Sequence, residues 1–382
     1  MSTVKANAII DASGGNTATI NSMTPTADSL QGFRNRIING GMVIDQRNAG
    51  ASVTTGTTGA YTYSLDRYAY YTTAASKFTI QQNAGSVTPP VGFNYYLGIT
   101  STSAYSSSSS DIIVLRQPIE AVNVGDLGFG TANAKTITLS FWVRSSLTGT
   151  FSGYLSNYNG SRNYPFTYSI SAANTWEQKS ITIAGDTSST WYLTNTGNSI
   201  GMNVGFNLGS GSTYLGTANA WSGTTYFGAT GSVNVVGTNG ATWYITGVQL
   251  EVGSVATPFE RRDYGRELML CQRYYYRTAV AANAVISTGA FASGTTVFSG
   301  FSNFPVRLRT TPSALEQSGT ASDYRWNGTT QIAASAVPTF STRTTTDMWQ
   351  VNFDVASGLT AGHGGSIVTN SGNGYLGWSA EL

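Results

Sequence analysis

Side chains suited to catalysis are scarce in this sequence. His363 is the single histidine and lies in the glycine-rich stretch 361–365, while Cys271 is the single cysteine. A Ser-His-Asp triad is formally available, but no Gly-X-Ser-X-Gly elbow stands between a predicted strand and a helix. One cysteine allows neither an internal disulfide nor a cysteine-based metal cluster. We therefore predict no catalytic residue, no cofactor and no side-chain metal site; a calcium site made of backbone carbonyls would leave no trace in the sequence.

Two pairs of carboxylates lie close together in the sequence, Glu260 with Asp263 and Asp347 with Asp354. Glycoside hydrolysis requires two carboxylates about 5 to 10 Å apart. Asp354 falls on the polar side of a predicted strand, where a solvated strand face is the simpler interpretation. Cleavage of a surface glycan is therefore kept as an alternative, and binding without cleavage is the main hypothesis.

The composition favours glycan binding over most other functions. Charged residues make up 10% of the 382 residues and the net charge is +2, whereas about 25% charged residues are usual. The 8 Trp and 22 Tyr can stack on sugar rings, while neutral polar side chains bond to hydroxyls. The chain has no Lys/Arg cluster for nucleic acid and no stretch of roughly 20 apolar residues for membrane insertion. Its N-terminus lacks the apolar part of a secretory signal, so we expect cytoplasmic synthesis and release by lysis.

Short strands separated by glycine and asparagine turns dominate the chain after residue 32. Alternation of apolar and polar residues marks segments 77–81, 136–143, 203–208 and 243–250. A period of two is typical of strands with one buried face. In the last segment it places Tyr244 and Thr246 on the same side as Leu250. Many such strands with almost no helical periodicity predict a β-sandwich or jelly roll.

The predicted organisation is all-β and has four parts. Residues 1–32 have no core of their own and form an extended leader that either docks on a virion partner or stays a free tail. A jelly-roll β-sandwich follows at 33–262, then a connecting helix at 263–277. A smaller C-terminal β-sandwich occupies 278–382.

The connecting helix is predicted from one apolar stripe. Tyr264, Leu268, Cys271 and Tyr275 recur at i, i+4, i+7 and i+11, and Asp263 can cap the helix start. The stripe either packs on its own sandwich or meets copies of itself about a three-fold axis. Its four residues are therefore candidate contacts of a homotrimer.

The C-terminal unit contains the candidate receptor-binding residues. Asn327 and Gly328 predict a two-residue hairpin turn, which places Tyr324, Arg325, Trp326 and Asn327 near a hairpin tip. Tyr324 and Trp326 share one strand face, so they either fill the core or are exposed at the tip. His363, with its glycine neighbours, is a second candidate loop. These five residues are the candidate glycan contacts.

Several segments resemble a family of bacteriophage tail-fibre and receptor-binding proteins. They are residues 33–42, 45–47, 138–146, 243–253, 258–262, 270–275, 304–312 and 375–382. The resemblance frames about 33–277, extends into the C-terminal unit, and implies a core similar to jelly-roll carbohydrate-binding modules. These motifs are architectural and bring no receptor-contacting residue with them.

The resemblance implies a homotrimeric tail fibre in the virion, extracellular after host lysis. Its leader would attach to tail or baseplate proteins, and its distal β unit would bind host surface polysaccharide. Three alternatives remain at this point. They are a structural baseplate or decoration protein without receptor binding, a surface-polysaccharide depolymerase, and a non-viral adhesin.

Overall fold

The computed structural model describes residues 33–57, 59–188, 191, 199–278 and 281–382. Within them the fold is all-β apart from one α-helix and short 3-10 turns, as the sequence predicts. The chain divides into two compact units. The second unit consists of Arg262–Leu382 together with two short earlier segments, Ile44–Ala49 and Leu65–Arg67, and the first unit holds the rest. The predicted leader, 1–32, lies outside the described residues.

The first unit is built from two six-stranded sheets. Its strands are β1 (Val53–Thr54), β2 (Thr62–Leu65), β3 (Tyr68–Thr72), β4 (Phe78–Gln82), β5 (Leu97–Ser101), β6 (Ile113–Glu120), β7 (Ile137–Ser145), β8 (Gly149–Ser156), β9 (Asn163–Ile170), β10 (Glu177–Ile183), β11 (Ile200–Asn207), β12 (Leu215–Gly216), β13 (Gly228–Ala229) and β14 (Thr242–Val252). Short 3-10 turns lie at Ala84–Ser86, Ala121–Asn123, Gly125–Leu127, Ser212–Tyr214 and Val235–Gly237. One sheet has the order β1-β4-β5-β14-β7-β10 and the other β2-β3-β6-β11-β8-β9, which is a jelly-roll β-sandwich.

Aromatic rings from both sheets form the core of this sandwich. Phe141 of β7 lies 5.2 Å from Phe206 of β11 between ring centroids, and Phe206 lies 5.4 Å from Trp243 of β14. All three rings are buried. The predicted alternation in β7 and β11 is therefore confirmed, because their apolar positions face each other between the sheets.

Strand β14 departs from the simple alternation predicted for it. Its pairing with β7 shifts register between Thr246 and Gln249, and Gly247 there has φ +62°. This β-bulge reverses which positions point inward. Leu250 pairs with Leu139 of the core, whereas Tyr244 belongs to a separate buried cluster with Ala84 and Tyr96. The expectation that Tyr244 and Thr246 share a side with Leu250 was wrong.

The segment 33–42 is bonded along β14. The backbone N–H of Arg36 donates to the Leu250 carbonyl at 2.9 Å, and the Val248 N–H donates to the Gly40 carbonyl at 2.9 Å. The Asn35 side chain bridges both, donating to the Val248 carbonyl and accepting from the Leu250 N–H. A Cβ on Gly40 would lie 2.2 Å from the Val248 oxygen, so only glycine fits this close approach. Hydrogen bonds thus connect two of the family-like motifs, 33–42 and 243–253.

The second unit contains the helix α1 (Tyr264–Gln272) and two sheets. Its strands are β15 (Tyr275–Arg277), β16 (Val285–Ala292), β17 (Val297–Asn303), β18 (Glu316–Gln317), β19 (Tyr324–Asn327), β20 (Gln331–Ala333), β21 (Thr339–Phe340), β22 (Met348–Asp354), β23 (Gly364–Thr369) and β24 (Leu376–Ser379), with a 3-10 turn at Ala321–Asp323. The sheets have the orders β15-β24-β18 and β20-β19-β23-β16-β17-β22-β21. Trp349 and Trp378, one from each sheet, stack at 4.8 Å between centroids in a shared core.

The helix is shorter than the predicted 263–277. Asp263 caps it as predicted, accepting the Arg266 N–H at 2.9 Å, but the helix ends at Gln272. Tyr275 lies in β15, which pairs with β24. Among the described residues, no helix is long and apolar enough to cross a membrane.

A buried charged cluster joins distant segments within the second unit. The Arg67 guanidinium pairs with the Glu381 carboxylate and lies 3.6 Å from the Tyr274 ring centroid. Arg47 stacks on Tyr275 at 3.6 Å, binds Glu316 at 3.0 Å and lies 3.6 Å from Glu381. Each guanidinium thus combines a carboxylate with an aromatic face, as the desolvation of a buried cation requires. Three family-like motifs, at 45–47, 270–275 and 375–382, meet in this cluster.

Asp66 belongs to the same cluster and carries an unusual pKa. Its carboxylate accepts the Gln46 backbone N–H at 2.7 Å and the Gln46 side-chain amide at 2.5 Å. Burial raises the pKa of Asp66 to about 7, against the lowering effects of the Gln46 bonds and Arg47. The folded state therefore holds a proton on Asp66 that the unfolded chain releases near pH 4.

This linkage predicts that the second unit loses stability as the pH rises. The contribution of Asp66 is fully present below its unfolded pKa and is lost as the pH passes through about 7. We expect the free energy of unfolding to fall by about 2 to 3 kcal/mol between pH 5 and pH 8. Urea denaturation of the full chain at several pH values measures this. In Asp66→Asn the same fall should disappear; a wild-type stability that rises from pH 5 to pH 8 would contradict the assignment.

Candidate functional site

The seven-stranded sheet of the second unit has one face in the core and one face toward solvent. In β22, Trp349, Val351 and Phe353 are buried, while Gln350 and Asn352 between them are half-buried. This alternation follows from the period of two of a strand with one buried face, and it agrees with the predicted polar side on which Asp354 falls. Core packing of the apolar residues therefore fixes the amides on the opposite, outer side of the sheet.

Two phenylalanine rings stand on that outer side, in the central strands β16 and β17. Phe291 is 38% exposed and Phe301 is 40% exposed. Phe291 pairs with Ser299, and Phe301 pairs with Gly289, so the two rings are diagonal cross-strand neighbours. Such neighbours lie roughly 7–8 Å apart on one face of a sheet. Large apolar rings left in solvent are the informative exception among aromatic residues.

Small neighbours explain why both rings are accessible. A Cβ on Gly289 would lie 2.9 Å from the Phe301 ring, so this ring covers the bare backbone of the adjacent strand. Phe291 pairs on its other side with Gly364, which has no side chain to cover the ring. Each ring therefore has a glycine as a direct cross-strand neighbour.

We name this surface the outer sheet face. It comprises Phe291, Ser299, Phe301, Asn327, Gln350, Asn352 and Ser366. The ladder pairs Asn352 with Ser299, and Gln350 with Phe301. An amide or a hydroxyl therefore lies directly beside each ring. These seven side chains are uncharged, while Arg325 and Asp354 lie on the same side of the sheet, two residues along the strand from Asn327 and Asn352.

Hydrogen bonds hold the polar side chains of this face in place. The Ser299 hydroxyl donates to Asn352 Oδ1 at 2.8 Å. The Asn327 amide donates to the Ser366 hydroxyl at 3.3 Å, and that hydroxyl donates to the Asn327 carbonyl at 3.2 Å. Amide and hydroxyl groups keep further donor and acceptor positions beyond these bonds. The face thus combines fixed neutral polar groups with two apolar rings.

The predicted aromatic contacts Tyr324 and Trp326 lie in the core. Both are buried, and the Tyr324 hydroxyl donates to the Tyr375 carbonyl at 2.6 Å. Trp326 lies 5.3 Å from Phe298 between centroids. The prediction that these two rings contact a glycan is therefore corrected. They fill the core, which is the other of the two positions that the sequence left open. Alternation in β19 turns them inward because the neighbouring apolar strands cover that side.

The other predicted contacts are placed differently. Arg325 and Asn327 alternate to the outer side of β19; the Arg325 guanidinium donates to the side-chain oxygens of Asn283 and Asn370. His363 is exposed in the turn before β23, and its carbonyl accepts the Ala292 N–H at 2.9 Å. The hairpin forms, but Asn327 pairs with Gln331 inside the ladder, so the turn is 328–330 and not a two-residue turn. No contact with a glycan is established for any of the five predicted residues.

The predicted trimer stripe separates into exposed and buried residues. Tyr264 is 62% exposed and Leu268 is half-buried, whereas Cys271 and Tyr275 are buried. Tyr275 is not on the helix and its ring is covered by Arg47. Cys271 and Tyr275 are therefore packed within their own chain and cannot meet another copy. Tyr264 and Leu268 keep their place in the trimer prediction.

Three of the four acids named for the enzyme alternative, Glu260, Asp263 and Asp347, have structural partners. Glu260 accepts the Asn35 backbone N–H, and Asp263 caps α1. Asp347 lies 3.8 Å from the Arg307 guanidinium at the surface. Among the described ranges, no group of three or more His, Cys, Asp and Glu side chains is arranged to hold a metal ion.

The exposure of Phe291 and Phe301 was not predicted from the sequence. The pattern within Val285–Ala292 and Val297–Asn303 predicts an ordinary buried strand residue at each of these two positions. One signal was present: the residues two positions away, which share a strand face with each ring, are Gly289 and Ser293 for Phe291 and Ser299 and Asn303 for Phe301. Such small neighbours cannot cover a large ring.

Comparisons with known proteins give weak structural similarities. No protein-family model matches the sequence, and no curated protein matches it. The enzymatically active domain of Bacteriophage CBA120 tailspike protein 4 is 12% identical with a TM-score of 0.30, over 58% of this chain and 22% of that chain. A putative sugar binding protein from Bacteroides thetaiotaomicron is 13% identical with a TM-score of 0.33, over 58% and 100%. TmCBM61, solved with β-1,4-galactotriose, is 12% identical with a TM-score of 0.27, over 58% and 99%. At these TM-scores the assignment of function depends on the chain's own geometry.

Proposed function

We propose that this protein binds a glycan on the outer sheet face of its second unit, without cleaving it. The observation that carries the proposal is the pair of half-exposed rings, Phe291 and Phe301, set among fixed amides and hydroxyls. Sugar rings present apolar C–H faces to aromatic planes and hydroxyls to neutral donors and acceptors. A flat face of this kind accommodates a polymer lying along the surface.

The biological setting of the proposal is a phage tail fibre. It is supported by the family-like motifs, which form the buried cluster and the β14 contacts. In this setting residues 1–32 attach the chain to tail or baseplate proteins, and the second unit adheres to host surface polysaccharide. Assembly as a homotrimer would raise avidity about 10² to 10⁴-fold over a single weak contact when the geometry permits simultaneous binding.

Binding and cleavage can be separated in one experiment with the intact chain. Biolayer interferometry against immobilised capsular polysaccharides, O-antigens, dextran and galactan measures binding. A reducing-end assay on the same polymers measures cleavage. We expect binding to at least one bacterial polymer without new reducing ends. Release of reducing ends would establish the depolymerase alternative. Absence of binding to every surface polymer would refute the proposal and favour the alternative of a structural protein without receptor binding.

A further inference from the structure

A polar pocket of about 370 Å³ lies in the second unit. Its lining consists of Arg309, Thr310, Thr311, Ser313, Ala314, Glu316, Ser379, Ala380 and Glu381. It forms where the ladder between β18 and β24 ends: Glu316 still pairs with Gly377, and the two chain segments separate beyond that pair. The volume falls within the roughly 300–1,000 Å³ usual for small-molecule sites.

One wall of the pocket is a fixed carboxylate. Glu316 accepts the Tyr275 hydroxyl at 2.8 Å through one oxygen and Arg47 at 3.0 Å through the other. Its side chain nevertheless remains 43% exposed. A carboxylate offers about four lone-pair positions, so two hydrogen bonds leave further acceptor positions for a ligand. The carboxylate is thus held in one orientation before a ligand arrives.

Hydroxyl groups form the rest of the polar lining. Thr310, Thr311 and Ser313 contribute side-chain hydroxyls to the lining, and Thr311 and Ser313 are exposed. A lining with these hydroxyls and the fixed Glu316 carboxylate is complementary to a ligand rich in hydroxyls.

The charges in the pocket lining give an ionic ligand no net attraction. The Glu316 carboxylate and the Arg309 guanidinium have opposite signs, so a ligand of either charge is attracted by one group and repelled by the other. Arg309 also donates to the Ala380 and Glu381 carbonyls, which fixes it in the wall. We infer that this pocket is a second binding site, for a neutral polyhydroxylated molecule the size of a monosaccharide. The inference does not depend on glycan binding at the outer sheet face.

Saturation-transfer difference NMR of the full chain tests the pocket. Glucose, galactose, mannose and N-acetylglucosamine, each at millimolar concentration, serve as the probes. Ala314 is exposed on the pocket wall, so Ala314→Leu fills the pocket without touching the core. We expect at least one sugar to give a signal and Ala314→Leu to weaken its binding about tenfold or more.

Two controls assign the signal to the pocket. Thr311→Val removes one hydroxyl at nearly constant volume and should weaken the same sugar, whereas Phe301→Ala on the outer sheet face should leave it unchanged. The inference is overturned if no sugar gives a signal, if Ala314→Leu binds like the wild type, or if only Phe301→Ala removes the signal. Polymer binding by the wild type together with any of these results would leave the proposed function standing.

Discussion

Replacing Arg67 by methionine should lower the free energy of unfolding of the second unit by about 3 to 5 kcal/mol. Arg67 is 1% exposed and pairs with the Glu381 carboxylate. Its removal leaves the Glu381 carboxylate buried, with the Arg47 guanidinium at 3.6 Å. Methionine keeps much of the arginine volume and its contact with the Tyr274 ring. The decrease in the free energy of unfolding therefore measures the effect of removing the charge. Urea denaturation at constant pH measures it.

A matched surface pair provides the control for this variant. Arg307 is 72% exposed and lies 3.8 Å from Asp347, also in the second unit. Exposed pairs contribute about 0 to 1 kcal/mol, so Arg307→Met should hardly change the stability. An Arg67→Met effect no larger than that of Arg307→Met would show that the buried cluster does not hold the second unit together.

Replacing both Phe291 and Phe301 by alanine should weaken polysaccharide binding at least about 100-fold. Each ring is expected to account for about tenfold, or about 1.4 kcal/mol, because central aromatic residues dominate binding energy at interfaces. Neither ring is in the core, so thermal unfolding should change little. Biolayer interferometry on the polysaccharide that the wild type binds measures the loss.

Tyr158→Ala supplies the control for the aromatic double variant. Tyr158 is 38% exposed, like the two phenylalanines, and lies in the first unit, outside the outer sheet face. If its loss weakened binding as much as the double variant did, exposed aromatic rings in general would be responsible, and the specific role of the outer sheet face would be refuted.

Local alternation made the fold class and several strands predictable. In β22 the apolar side chains at every second position are buried in the core, and this places the amides between them on the opposite side of the sheet. The same rule failed in β14, since one bulge at Gly247 shifts the register while the sequence pattern continues unchanged. A bulge depends on the partner strand, which the local pattern does not specify.

The candidate site was predictable only in part. Alternation alone places Arg325 and Asn327 opposite Trp326, but it does not say which side is buried. The core position of Trp326 depends on Phe298, which belongs to another strand. The exposure of Phe301 depends equally on Gly289, twelve residues earlier in the chain. The burial of Trp326 and the exposure of Phe301 are therefore set by contacts with residues of other strands. The ion pair between Arg47 and Glu381 likewise joins residues that are distant in the sequence.

A crystal structure of the intact protein with an oligosaccharide from its polysaccharide ligand tests the central claim most directly. The account predicts sugar rings against Phe291 and Phe301, with hydroxyls bonded to the amides of Gln350 and Asn352. Sugar bound on the first unit, with the outer sheet face bare, would contradict it.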